Sequence, residues 1–387
     1  MGLRGRLIGG TVAVALSMSG PARADDTDPV NLTPPTVSGE SVFHQRLRAG
    51  PGTWDVDELT FAYQWLRDGR AVKDATARRY RLQVADLGAR MSVRVTATST
   101  AGGSSSATSA ETGAVARADL ATVARPRVSG VKRFAHRLRA TAGRFAPAAE
   151  RVRYRWLRDG DRIRGATRAS YLLSAADVGH RLRVQVTARR DGYRPLSVVS
   201  GRTSKIGQRV PLRRTVTFHV ETRGKIKASL ATFKAQARQT YADPRGWRGA
   251  GIGFKQVAKG GSFTLVLAEA SWLPRFSSSC SARWSCRVGR YVIVNQTRWL
   301  HASPAWRAAG RSVRDYRTMV VNHETGHWLG HGHASCPGRG KLAPVMMQQS
   351  KGRAGCRFNP WPLPSELWAR PGGKQASTTM VGRVWVE

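Results

Sequence analysis

Residues 323–333 read His-Glu-Thr-Gly-His-Trp-Leu-Gly-His-Gly-His. Residues four apart on a helix lie on one face, so His323 and His327 can both bind one metal ion. Glu324 stands next to the first of these histidines and can approach a water molecule on the same metal. The stretch therefore predicts a metal site on a helix, and the surrounding chain is expected to fold around that helix.

A third ligand is expected from the residues that follow. Gly330 allows the backbone to leave helical geometry, and the chain can then return His333 to the metal. His331 is the alternative, because it stands four residues after His327 and would suit a helix that continues. Since Gly330 favours the end of the helix, we expect His333 to be the third ligand and His331 to lie beside the centre or on the surface.

The helix that carries this motif is predicted over residues 312–330. Ser312 can cap its N-terminus, and Asp315 at the third helical position nearly completes a capping box. The expected buried face consists of Val313, Tyr316, Val320 and Val321.

The chain before this helix carries a mixture of strand and helix patterns from about residue 210 onward. Alternating or continuous apolar residues predict short strands at 216–220, 263–267 and 291–294. Residues 226–241 have their apolar side chains on one face, which is typical of an amphipathic helix. We therefore expect an α+β domain over residues 210–370.

All four cysteines lie in the last third of the chain, at Cys280, Cys286, Cys336 and Cys356. In an oxidising compartment an even, clustered set predicts disulfides, for which three connectivities are possible. We favour Cys280–Cys286 and Cys336–Cys356, because each pair closes a local loop. Zinc ligation by the four cysteines is the alternative, but their spacings are not of the CxxC type.

The first half of the chain contains an internal repeat. Trp-Leu-Arg-Asp-Gly occurs at residues 65–69 and again at 156–160, and the same offset relates further matching residues in both copies. Each copy alternates apolar and polar residues, and its Asp-Gly pair is a hairpin signal. One constant offset means two copies of one module. We expect all-β modules over residues 30–116 and 121–207.

These modules resemble the Ig-like tandem sandwich domains of bacterial surface and secreted proteins. They lack a cysteine pair across the sandwich, so we expect packing around Trp65 and Trp156 to stabilise them. The alternative is that these tryptophans are exposed platforms for sugars, but a tryptophan in the middle of a strand is more often core. We expect the modules to act as spacers or to adhere to the cell wall.

The N-terminus and the charge predict where the protein works. Residues 1–24 have the layout of a secretory signal peptide, with early arginines, a short apolar stretch and Ala22-Arg23-Ala24 at the cleavage site. The formal net charge is +40. For an exported chain this favours anionic cell-wall polymers as partners rather than a specific nucleic acid. The mature chain has no apolar run long enough to predict a transmembrane segment. We expect a secreted, extracellular or wall-associated monomer.

The string from His323 to His333 resembles the zinc signature of the metzincin metallopeptidases. The resemblance implies a Met turn beneath the zinc ligands, for which Met346 and Met347 are the candidates. Residues 242–247 and 321–356 are together similar to a family of uncharacterised secreted proteins of actinobacteria. Ala334, after the third histidine, matches no well-studied metzincin subfamily, and the resemblance implies no particular substrate.

The predicted function is that of a secreted zinc endopeptidase acting on a peptide or protein substrate. Zn²⁺ would be held by His323, His327 and His333, and Glu324 would act as general base towards the zinc-activated water. The alternatives are a zinc-dependent peptidoglycan amidase or wall hydrolase, and a non-catalytic, zinc-stabilised cell-wall-binding protein. A carboxylate beside three histidines argues against the last, because structural zinc sites use four protein ligands. The expected architecture is two all-β Ig-like sandwich modules followed by an α+β metzincin-like zinc-protease domain.

Overall fold

The computed structural model describes residues 28–368 and 384–386. The predicted signal peptide, residues 1–24, lies outside the described residues. The described part of the chain is mostly β-sheet with few helices. None of its helices combines the length and the apolar character needed to cross a membrane. The chain divides into two compact units, the first of residues up to Val123 with Phe145–Val152 and Thr187–Leu196, the second of Ala124–Arg144, Arg153–Val186 and residues from Ser197 onward.

The first module is antiparallel throughout its described strands. Its strands are β1 (Asn31–Thr33), β2 (Thr36–Ser38), β3 (Arg46–Gly50), β4 (Thr53–Trp54), β5 (Thr60–Arg67), β6 (Arg70–Ala71), β7 (Arg79–Arg81), β8 (Met91–Thr98) and β9 (Ser104–Thr108). They form sheets in the orders β2-β3-β7 and β6-β5-β8-β9, and β1 pairs with β4.

The core of this module centres on Trp65, which is fully buried. The tryptophan is therefore a packing residue, and the alternative of an exposed sugar platform is excluded at this position. Asp68 and Gly69 turn the chain between β5 and β6 with φ angles of 45° and 77°. Two positive φ angles in a two-residue hairpin are what an Asp-Gly pair favours.

The second module repeats this arrangement. Its strands are β10 (Ala121–Ala124), β11 (Arg127–Ser129), β12 (Arg137–Thr141), β13 (Arg144–Ala146), β14 (Arg151–Arg158), β15 (Asp161–Arg162), β16 (Ser170–Leu172), β17 (Leu182–Arg189) and β18 (Leu196–Val199). The sheet orders are β11-β12-β16 and β15-β14-β17-β18, and β10 pairs with β13. Trp156 is fully buried, like its counterpart Trp65.

The C-terminal region is built on one mixed sheet. Its elements are β19 (Arg214–Arg223), α1 (Leu230–Ala242), β20 (Ile252–Gln256), β21 (Phe263–Ala268), β22 (Cys286–Val288), β23 (Tyr291–Asn295), α2 (Gln296–His301), α3 (Pro304–Ala308), α4 (Val313–Trp328), α5 (Pro364–Trp368) and β24 (Val384–Val386). The strand order is β20-β19-β21-β23-β22-β24. The first four strands of this order are parallel, whereas β22 runs antiparallel to both of its neighbours.

Helix α4 carries the histidine motif and lies in the core of this region. It packs against α1 and α2 and against strands β22 and β23. Its central turns are almost completely buried, from Tyr316 through His327 apart from Arg317. A helix that is buried nearly all round belongs to a domain core. The motif is therefore held by packing on several sides.

Both predicted helices of this region have boundaries that differ from the observed ones. Helix α1 begins at Leu230 instead of residue 226, because the Ser229 side chain accepts a hydrogen bond from the Thr232 N–H (3.2 Å) and caps the helix there. Ile226 precedes the helix and still packs against the core. Helix α4 begins after Ser312, which accepts from the Asp315 N–H (3.0 Å), and it ends at Trp328.

Both disulfides have the connectivity favoured from the sequence. Cys280 is bonded to Cys286 and Cys336 to Cys356, and the described residues contain no free cysteine. The second disulfide links the chain just after the histidine motif to the segment beyond Met347, so it closes the loop that returns to the site.

Candidate metal centre

Three imidazoles converge at the end of helix α4. One ring nitrogen from each of His323, His327 and His333 lies within 4.8 Å of the others. The Nε2 atoms of His323 and His327 are 3.1 Å apart. The two helical histidines are buried and His333 is partly buried. The structure thus brings together the three residues that the motif predicts as ligands.

The opposite ring nitrogens of the two helical histidines are held by backbone carbonyls. The Nδ1 atom of His323 lies 2.7 Å from the Val345 oxygen, and that of His327 lies 2.9 Å from the His331 oxygen. A carbonyl can only accept, so each imidazole carries its proton on Nδ1 and donates it there. The Nε2 lone pairs are therefore the ones that face the centre, as in metal-binding histidines.

The three histidines are neutral at ordinary pH. Burial lowers the pKa of His323 to about 3 and the pKa of His327 well below its ordinary value. Burial, followed by the charge of Lys351, lowers the pKa of His333 to about 4. Neutral imidazoles with converging lone pairs repel each other unless a cation lies between them. This donor set fits a divalent metal such as Zn²⁺, which binds neutral imidazole nitrogens and can keep a fourth position open.

Gly330 brings the third histidine back to the first two. Its φ of 96° lies in the left-handed region, and the helix ends two residues earlier. The His331 N–H donates to the Gly326 oxygen (3.0 Å), which closes the end of the helix. His331 itself lies outside the ligand group, because its ring stacks on Trp247 with centroids 4.7 Å apart. Its backbone carbonyl contributes instead, as the acceptor for His327.

Met346 lies beneath the motif. A side chain on Gly326 would collide with the Met346 sulfur and approach Trp247 Cζ2 to 2.8 Å. Met346 is 1% exposed and belongs to the main core of the domain, whereas Met347 packs with Ala343 and the second disulfide. Of the two candidate methionines, Met346 is therefore the one whose side chain lies against the motif helix at Gly326.

Glu366 is an important residue that sequence reasoning missed. Its buried carboxylate accepts hydrogen bonds from the N–H groups of Val345 (3.0 Å), Met346 (2.8 Å) and Leu363 (2.6 Å). Burial raises the pKa of Glu366, and these three donors oppose that rise. Because Val345 is also the acceptor for His323, Glu366 holds the loop that orients the first ligand. Pro364 and Glu366 do indicate the start of a helix in the sequence, since proline and acidic residues favour the first turn of a helix.

Trp247 and Tyr241 also contact the motif helix. The Trp247 Nε1–H donates to the Asn322 carbonyl (2.9 Å), and the Tyr241 hydroxyl lies 2.8 Å from Thr325 Oγ1. Both aromatic residues are buried. Trp247 was noted in the sequence only as part of a resemblance, and its contact with the helix depends on the tertiary fold.

Two cationic side chains act electrostatically on the histidines. The charge of Lys351 lowers the pKa of His323 and of His333, and that of Arg287 lowers the pKa of His327, although burial is the larger cause in each case. Glu324 is fully buried next to His323 on the same helix. The site therefore combines three converging imidazoles with nearby positive charge.

A family model described as "Protein of unknown function (DUF3152)" matches residues 184–364. This range includes all three histidines, Glu324 and both disulfides. No curated protein matches the chain.

Solved structures similar to the chain contain tandem β domains. The three N-terminal domains of the highly immunogenic outer capsid protein of bacteriophage RB49 are 16% identical, with 49% of this chain and 64% of that chain covered and a TM-score of 0.20. A Ca²⁺-stabilised ice-binding adhesin of an Antarctic bacterium is 11% identical, with 49% and 54% covered and a TM-score of 0.21. The amphioxus IgVJ-C2 molecule is 15% identical, with 38% and 89% covered and a TM-score of 0.20. The chain spans less than two thirds of the first two proteins.

Proposed function

We propose that the protein is an exported zinc-dependent endopeptidase with a metzincin-like C-terminal domain. The observation that carries the proposal is the convergence of three neutral imidazoles, two of them oriented by backbone carbonyls. Glu324 is buried next to His323 on the same helix. Three protein ligands are the set used by catalytic zinc sites, whereas structural sites use four. Met346 beneath the helix agrees with the Met turn that the metzincin resemblance implies.

The chemistry follows from the donor set and the carboxylate. When bound here, zinc would supply a Lewis acid for the scissile carbonyl and a nucleophile at neutral pH. Glu324 takes the proton of the attacking water and returns it to the leaving amine. The hydrogen bonds at Nδ1 keep His323 and His327 in the tautomer that presents Nε2. Positive charge from Lys351 and Arg287 favours the anionic oxygen that develops during the attack.

Export is the second part of the proposal. The predicted signal peptide and the two disulfides support an oxidising compartment, because cytosolic thiols are kept reduced. With a formal net charge of +40, an exported chain would be attracted to anionic polymers of the cell envelope. The β modules would hold the peptidase domain there.

The test compares the wild-type chain with Glu324→Gln. The amide is nearly isosteric but cannot accept a proton from water, so hydrolysis of a mixed peptide library should fall by about 100-fold or more. Zinc content should be unchanged, because Glu324 is not a ligand. Asp315→Asn on the exposed end of the same helix is the control and should cleave normally.

Purified cell walls offered in parallel identify the substrate class. Cleavage of the library without loss of wall turbidity supports an endopeptidase, whereas loss of wall turbidity alone would assign the same site to a wall hydrolase. Equal hydrolysis by wild type and Glu324→Gln would overturn the proposed role of the carboxylate.

A further inference from the structure

A basic cavity lies beside the Asp-Gly turn of the second module. It has a volume of about 260 Å³ and is lined by Asp159, Gly160, Arg181, Arg183 and Arg202. Three arginines and one aspartate therefore line the same cavity. The cavity belongs to the second module alone and uses none of the residues of the metal centre.

The sheet places Arg183, and a hydrogen bond to the backbone holds Arg181. Arg183 alternates with buried residues along β17, so its side chain lies on the outer face of the sheet. Its Nε atom is buried and has no hydrogen-bond partner among the described residues. Arg181 is anchored at its Nη1, which donates to the Thr203 oxygen (3.0 Å). A buried donor without an acceptor is unfavourable, so the module itself does not fully satisfy the Arg183 guanidinium.

The carboxylate in the cavity is already engaged. Asp159 Oδ1 accepts from the Arg181 backbone N–H (2.9 Å), and Oδ2 pairs with the His180 ring. These contacts lower the pKa of Asp159, with the Arg181 backbone hydrogen bond as the largest cause. Asp159 is thus bound to the Arg181 backbone and to His180, and these contacts use no arginine side chain.

The first module provides an internal comparison. The Met91 N–H donates to Thr112 Oγ1 (3.1 Å), and the Leu182 N–H donates in the same way to Thr203 Oγ1 (2.9 Å). The two modules therefore make the same contact at this position, with the offset seen in the repeat.

The equivalent residues carry a different charge. Where the second module has Arg181, Arg183 and Arg202, the first module has Arg90, Ser92 and Glu111. Asp159 of the turn corresponds to Asp68 in the first module. The second module therefore has three arginines and one carboxylate at these positions, whereas the first module has one arginine and two carboxylates. Because the first module has the same fold without this charge, packing of the module does not explain the three arginines.

We infer that the second module binds a phosphate group of an anionic polymer in this cavity. Guanidinium groups match the geometry of phosphate oxygens with paired hydrogen bonds, and three of them can surround one group. The cavity is larger than a single phosphate needs, which leaves room for the adjoining units of a chain. The inference is independent of the proposed hydrolase, since loss of zinc at His323 would leave the cavity unchanged.

The first experiment exchanges the cavity for its counterpart in the first module. Binding of the full chain to long-chain polyphosphate is measured at physiological salt for wild type and for Arg183→Ser/Arg202→Glu. The control is Arg127→Ser/Arg139→Glu, which changes the net charge equally at exposed residues of the other sheet. We expect the cavity variant to bind at least about 10-fold more weakly and the control to lose about 2-fold or less. Equal losses would mean that diffuse charge alone binds the polymer, and would overturn the inference.

The second experiment identifies the source of the phosphate. The Nε–Hε signal of Arg183, assigned by its loss in Arg183→Lys, is followed by NMR during titration with inorganic phosphate and with polyphosphate. A saturable shift with both probes supports recognition of the phosphate group itself. A shift with polyphosphate alone supports recognition of the polymer. An unchanged signal with both would contradict the assignment, and Arg183→Lys must retain the wild-type circular dichroism spectrum.

Discussion

At His323 and His327, a hydrogen bond to a backbone carbonyl fixes the proton on Nδ1. The lone pair of each ring therefore lies on Nε2 and faces the centre. The acceptors are the backbone oxygens of Val345 and His331, and neither side chain is part of the zinc motif. Both imidazoles are kept neutral by burial, and their Nε2 atoms face each other at 3.1 Å. The tautomer that a metal would require is thus already set by the fold at these two histidines.

The low pKa values of these histidines predict an acid-sensitive metal-free protein. In the unfolded chain each histidine binds a proton below about pH 6.5, whereas in the folded chain the pKa of His323 is about 3 and that of His333 about 4. The unfolded state therefore binds more protons between these values. Stability should fall as the pH drops from about 6.5 towards 4, by about 1.4 kcal/mol per pH unit for each histidine.

Urea unfolding of the metal-free chain between about pH 7 and pH 5 measures this slope. His333→Gln is the matched variant, and its slope should be smaller by about one proton. Because the β modules are the same in both proteins, their contribution cancels in the difference. Identical slopes would show that His333 does not titrate as its burial predicts.

We expect the loss of Glu366 to weaken zinc binding although Glu366 is not a proposed ligand. In Glu366→Ala the N–H groups of Val345, Met346 and Leu363 lose their shared acceptor. We expect zinc affinity to fall by about 10–100-fold, because the acceptor of His323 is no longer held. Competition with a chelator measures the affinity, and the exposed neighbour Ser365→Ala should retain it. Wild-type affinity in Glu366→Ala would show that the loop keeps its position without the carboxylate.

At the scale of the element, helix α4 explains what the sequence could and could not predict. The three histidines are close in sequence, and helix geometry plus Gly330 was enough to predict that they converge. The acceptor carboxylate of Glu366 belongs to a later helix, and its contact with Val345 arises from tertiary packing. The start of α1 was mispredicted because Ser229 caps the helix inside an otherwise continuous apolar pattern.

Close packing under α4 predicts that Gly326 cannot be enlarged. Alanine would improve helix propensity by about 1 kcal/mol, but its Cβ would collide with the Met346 sulfur and lie 2.8 Å from Trp247. Overpacking of a core of this kind costs about 1–3 kcal/mol, so Gly326→Ala should lower the melting temperature of the C-terminal region. Calorimetry measures this.

A double-mutant cycle isolates the contact. Adding Met346→Ala makes room for the new methyl group, so the double variant should be less destabilised than the two single variants together. Additive effects would mean that Met346 does not limit the space under the helix.

At the scale of the whole molecule, the described residues comprise a duplicated β module and a region in which a few helices accompany a mixed sheet. The repeat predicted both the Trp65 and Trp156 cores and the Asp-Gly turns, because these depend on local alternation and turn chemistry. The position of β22 in the mixed sheet was beyond such reasoning, since strand order depends on long-range pairing. Sequence patterns thus predicted the features that depend on residues close together in the chain.

The modules share a buried carboxylate that should stabilise each of them separately. Asp86 lies 2.6 Å from Arg67 Nη2 and accepts from the Tyr80 hydroxyl (3.0 Å), and Asp177 makes the same contacts in the second copy. Asp86→Ala or Asp177→Ala should cost about 2–4 kcal/mol, since Arg67 and Arg158 can partly rehydrate.

Scanning calorimetry should therefore show one module transition moved down in temperature. Asp57→Ala, at an exposed position, is the control and should unfold like wild type. Zinc content should not change, because every proposed ligand lies in the C-terminal region. Loss of zinc in either variant would show that the metal site depends on the modules.

The central claim is that three particular histidines hold one metal ion. Elemental analysis of the purified, disulfide-bonded chain measures it directly, with wild type compared with His333→Ala and His331→Ala. We predict about one zinc per wild-type chain, loss of that zinc in His333→Ala and its retention in His331→Ala, because His331 contributes only a backbone carbonyl. Folded wild type without zinc, or His333→Ala with as much zinc as wild type, would contradict the account.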